Sequence, residues 1–240
     1  MTTTNNSYNN MKDNKSFNKK KPLQEIVDFN DNSLPKAEEP HSLIIGITGG
    51  IGTGKTTVSK YLEEKGYYVI NADQIAKDLL SSNNIIKEKI IKEFGTNSYV
   101  NNQYNTSYIS NIVFNNTKKL SRLNQIVHPA VLNQIINLID TAMQKNIKII
   151  FIDIALLFEL NLEEGVDYIL TITAKEDIRI DRVIKRSNLP IEEIKRRINN
   201  QISVEEAVQN SDFVIENNDT IEKLYNSVDY ILDIFKTLMP

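Results

Sequence analysis

Residues 46–57 read GITGGIGTGKTT, with five glycines in nine positions, then a lysine and two threonines. Glycine inside a regular element costs about 0.5–1 kcal/mol against alanine, so such a cluster has a purpose. Gly49 to Thr56 fits G-x-x-x-x-G-K-[ST], the pattern of a loop that cradles phosphates. The glycines let successive backbone N–H groups turn toward one anion, and a helix N-terminus behind them adds partial positive charge. On this pattern Gly50, Ile51, Gly52, Thr53, Gly54, Lys55, Thr56 and Thr57 hold the phosphates of a nucleoside triphosphate. Lys55 reaches the β- and γ-phosphates, and the Thr56 hydroxyl is a ligand for Mg2+.

Other residues have the types and positions for the rest of a phosphoryl transfer. Asp73 follows the apolar run YYVI, where a carboxylate either takes the proton of an attacking hydroxyl or caps the helix that starts there. IIFID ends in Asp153, the form of a strand-end acid that holds Mg2+ through water, and Glu159 follows in ALLFE. Arg179, Arg182 and Arg186 share one helical face, and Lys195, Arg196 and Arg197 follow across SNLP. Two arginine-bearing helices about a short turn have the form of a lid that closes over phosphates, although the lysines read as an ordinary charged face. His128-Pro129 breaks a long helical pattern into two. Proline there suits the first turn of a helix, and His128 reads as a cap or a ligand contact.

These residues need a scaffold. LIIGI before the glycines reads as a buried strand, and VSKYLEEKG after them as a helix with a glycine stop. Further strands are expected at 67–73, 147–155, 167–174 and 212–217, with helices between them and one closing the chain. Strands alternating with helices predict an α/β fold with a parallel five-stranded sheet. The stretch 74–145 shows no strand and is too long for one crossover, so it is expected to be an inserted helical subdomain. The lid is expected at about 176–203.

The whole chain narrows the classes. It has 240 residues and a net charge of −3, which gives no reason to expect nucleic acid as a partner. It has no cysteine and two histidines, which excludes thiolate chemistry and argues against a histidine zinc site. No apolar run is long enough to span a membrane. Residues 1–41 are rich in asparagine and lysine and are expected to form a disordered leader, with LQEIVDF at 23–29 a possible docking segment. The leader has no arginine and no apolar signal core, so a cytoplasmic protein is expected. The guanine-reading N-K-x-D and D-x-x-G patterns are missing, which leaves ATP and a small kinase.

In order along the chain, ITGGIGTGKTTV, VINADQIA, LNQIVHPAV, IDIALLFE, RVIKRSNL, RINNQI and SDFVIENN resemble the dephospho-coenzyme A kinase family over residues 44–238. The resemblance implies a core like that of nucleoside monophosphate kinases, a helical coenzyme A subdomain and a lid. It implies transfer of the ATP γ-phosphate to the ribose 3′-hydroxyl of dephospho-coenzyme A. It carries the proposed base to Asp73, lid arginines to Arg182 and Arg186, and an acceptor contact to His128. The sequence departs from the family pattern at Asn71, in place of an acid, and at Thr106, Ala155, Ala207 and Val208. Two other readings stand beside this one: a nucleotide-gated ATP-binding protein, and a kinase for another small acceptor. The oligomeric state is not encoded in any pattern found.

Overall fold

The computed structural model describes residues 42–114, 116–187 and 189–239. The expected leader and its LQEIVDF segment lie outside the described residues. Five parallel strands form the centre: β1 (Leu43–Thr48), β2 (Tyr68–Asn71), β5 (Ile149–Asp153), β6 (Tyr168–Thr173) and β7 (Phe213–Glu216). Their order is β2-β5-β1-β6-β7. β1 and β2, consecutive in the chain, are not neighbours in the sheet. Instead β5 lies between them, with Ile47 and Asn71 both in register with Asp153. Strand order depends on contacts far apart in the chain, so local pattern does not report it.

Every residue of β1 and β5 is buried, as expected of strands covered on both faces. Alternate residues serve two cores. Leu43, Ile45, Ile47, Phe151, Leu170 and Ile172 pack against α1 (Lys55–Glu64) and the closing helix α9 (Ile221–Thr237). On the other face Ile44, Ile70, Ile150, Ile152 and Ile169 pack against the inserted helices. These are α2 (Ala72–Ser82), α3 (Asn84–Phe94), α4 (Thr106–Val113) and α5 (Thr117–Gln144).

Asparagine builds the insertion. Asn71, Asn83, Asn105 and Asn116 cap α2, α3, α4 and α5 in turn, each side chain accepting a first-turn N–H. The insertion also contains strands that the sequence reading lacked. The short pair β3 (Tyr99–Val100) and β4 (Gln103–Tyr104) forms an antiparallel hairpin turned by Asn101 and Asn102, at φ 50° and 66°. Two positive φ angles in a two-residue loop are the mark of a type I′ turn, which asparagine tolerates.

The expected break at His128-Pro129 does not occur. α5 is one helix of 28 residues with Pro129 inside it. Val127, Val131, Ile135, Ile139 and Ala142 form a continuous buried stripe along it. That burial outweighs the backbone hydrogen bond that proline removes. After β6 come α6 (Glu176–Arg186), α7 (Ile191–Asn199) and a short α8 (Val204–Gln209) that the sequence reading lacked.

Candidate active site

The glycine loop leaves β1 and ends at α1, as its sequence requires. Gly54 precedes the helix at φ 100°, a left-handed position suited to glycine, and it provides no capping side chain. Lys55 opens α1 and is 9 % exposed, whereas Thr56 stands exposed. The Lys55 ammonium forms an ion pair with Asp153, which is 1 % exposed and also accepts from Ser59 Oγ at 2.7 Å. The strand-end acid therefore lies directly beside the loop lysine, because β5 is the neighbour of β1.

Residues of α6 and of the segment after α7 grip the loop. Arg179 on α6 is 5 % exposed and donates from Nε to the Ile51 carbonyl at 2.9 Å. Burial holds its pKa below the usual arginine value. The Ile51 N–H donates to Gln201 Oε1 at 2.8 Å. Arg182 donates to Asn217 Oδ1 at 3.2 Å and reaches the Thr53 carbonyl at 3.5 Å, and Asn217 Nδ2 donates to that carbonyl at 2.8 Å. Sequence reasoning quoted Gln201 and Asn217 within RINNQI and SDFVIENN but gave neither a role, and it gave Arg179 no role of its own. Their partners are 150, 164 and 128 residues away along the chain. Arg186, at the end of α6, is exposed. Lys185 pairs with Asp181 at 2.6 Å and Arg197 with Glu193 at 2.6 Å, as an ordinary charged face does. Arg196 instead lies 4.7 Å from the ring centre of Phe114, which joins the lid segment to the insertion.

Asp73 lies in the first turn of α2 and is exposed. It is not the cap of that helix: Asn71 is, its Oδ1 accepting from the Gln74 N–H at 2.9 Å. The departure at Asn71 thus retains a capping function, and Asp73 is left open to solvent. Glu159 accepts from the Ile202 N–H at 3.1 Å. His128 sits midway along α5. It lines an open groove along α5 with Leu120, Asn124, Gln125 and Leu160, and burial holds its pKa below the usual value.

No group of three or more His, Cys, Asp or Glu suited to a metal occurs among the described residues. One hydroxyl, Thr56, and one carboxylate, Asp153, beside a phosphate loop fit a cation that arrives with the nucleotide and keeps its waters, as Mg2+ does.

Parallel sheet, glycine loop and the lysine at the head of α1 define a phosphate-loop kinase fold. The family described as "Dephospho-CoA kinase" matches residues 43–223. A dephospho-CoA kinase of Fusobacterium nucleatum is 40% identical over 188 residues, covering 78% of this chain and 95% of that one. One from Oceanobacillus iheyensis is 36% identical, covering 80% and 96%. Among solved structures, the dephospho-CoA kinase of Campylobacter jejuni is 26% identical with a TM-score of 0.61, covering 82% of this chain and 98% of that one. TT1252 from Thermus thermophilus is 30% identical with a TM-score of 0.71, covering 80% and 97%. The chain belongs to the dephospho-CoA kinase family.

Proposed function

We propose that the protein transfers the γ-phosphate of ATP to the ribose 3′-hydroxyl of dephospho-coenzyme A, the last step of coenzyme A synthesis. The observation that carries this reading is the family match, which runs from β1 into α9 and includes the loop, the insertion and the lid segment.

Phosphoryl transfer needs little covalent help from protein. It needs position and positive charge. The N–H groups from Gly52 to Thr57 take the phosphates. Lys55 turns from Asp153 to the β- and γ-phosphates and neutralises charge as the bond to the leaving oxygen stretches. Asp153 keeps Ser59 Oγ as a donor, so its carboxylate stays oriented. Mg2+, bound with the nucleotide, supplies further charge to the phosphates, and Thr56 and Asp153 are the residues that would hold it. Arg182 and Arg186 bring charge from the lid. Asp73, open at the start of α2, orients the attacking hydroxyl and accepts its proton. The groove along α5 at His128 takes part of the acceptor.

The reading is tested by incubating the protein with ATP and dephospho-coenzyme A and locating the new phosphate by NMR. A phosphate on the 3′-oxygen supports it. No phosphorylated product, or a phosphate elsewhere, overturns it.

A further inference from the structure

The Ile51 peptide lies in the phosphate loop and is held at both of its polar ends. Its N–H donates to Gln201 and its carbonyl accepts from Arg179. Arg179 belongs to the first lid helix, and Gln201 follows the second. The next residue, Ile202, donates its N–H to Glu159 in the segment after β5. Gln201 and Ile202 together therefore tie the loop to the segment beyond Asp153. Gly50, Glu159, Arg179 and Gln201 line one small cavity of about 20 Å3, so little free space separates them.

Gly50 gives an independent sign that the contact is built. A Cβ there would lie 2.6 Å from Arg179 Nη2 and 3.0 Å from Gln201 Oε1. Its φ is not in the left-handed region, so backbone conformation does not call for glycine at this position. The ends of these two side chains lie so close that a Cβ would displace them. A loop rich in glycine has much freedom to lose, and an ATP site gains affinity when that freedom is removed before the ligand arrives.

We propose that Gln201 is a positioning residue of the kinase: by accepting the Ile51 N–H it fixes the front of the phosphate loop, so that the N–H groups from Gly52 onward converge on the triphosphate. The proposal rests on the ATP-site reading and not on the identity of the acceptor.

The test is a titration of the full-length chain with a fluorescent ATP analogue and no acceptor present. Native protein that binds no analogue would remove the ATP-site reading and this proposal with it. In Gln201→Ala the Ile51 N–H loses its partner, and ATP affinity is expected to fall about ten-fold, the scale of one hydrogen bond that holds the loop in place. The melting temperature and the KM for the acceptor should stay close to native. Gly50→Ala pushes the same two side chains away and should lower affinity in the same way. Native affinity in Gln201→Ala would overturn the proposal. So would a fall in melting temperature and a rise in acceptor KM that parallel the loss of ATP affinity.

Discussion

At the scale of single residues, Lys55 and Asp73 carry the clearest consequences. Lys55→Ala removes the positive charge that we propose meets the migrating phosphoryl group, and kinase activity is expected to vanish. It also leaves Asp153 buried without its cation, and breaking a buried ion pair costs about 3–5 kcal/mol of stability. The variant should therefore melt earlier as well, and its activity is to be read on protein shown folded by circular dichroism. Near-native turnover would place the reacting phosphates elsewhere. Asp73→Asn removes a carboxylate that is exposed and caps nothing, so stability should hold. A positioned base contributes about 10²–10⁴-fold, and turnover is expected to fall by that order while ATP affinity changes far less. Asn71→Asp keeps a good capping side chain and should not slow the enzyme. Unchanged turnover in Asp73→Asn would move the search for the base to Asp153 or Glu159. The loop lysine and threonine were legible in the sequence because their spacing is local. Gln201, Asn217 and the part played by Arg179 were not, because each meets the loop only through the tertiary fold.

At the scale of elements, α5 shows a local rule losing to packing. Proline inside a helix normally ends or kinks it, yet the buried stripe from Val127 to Ala142 holds α5 as one element. The hairpin β3–β4 was readable in principle. Asn101-Asn102 between Tyr99-Val100 and Gln103-Tyr104 is a turn signal, hidden in a chain where asparagine is frequent. α5 also carries His128, whose pKa burial lowers from 6.5. The unfolded chain takes up that proton near its ordinary pKa, and the folded chain only at lower pH. Stability is therefore undiminished by His128 above about pH 6.5 and falls as pH drops from there toward the depressed folded value. Melting temperatures between about pH 7.5 and pH 5 should fall less steeply in His128→Gln than in the native protein. Equal slopes would mean that other groups set the acid limb.

At the scale of the whole molecule, the sheet order explains why the site lies where it does. With β5 between β1 and β2, the Asp153 carboxylate reaches the loop lysine, and the carboxyl ends of three adjacent strands face one crevice. The fold class, the five strands and the inserted helices follow from the alternation of apolar runs with helical periods. The order of those strands does not, because β1 pairs with residues more than a hundred positions away. The insertion and α7 touch through Phe114 and Arg196. A kinase so arranged should release ADP only when its own acceptor fills the space. The most direct measurement is ADP release, coupled to a reporter, with ATP and each of dephospho-coenzyme A, adenosine monophosphate and shikimate. The account predicts rapid ADP release with dephospho-coenzyme A and only background release with the other two. ATP binding without acceptor-dependent ADP would contradict it, as would a clear preference for another acceptor.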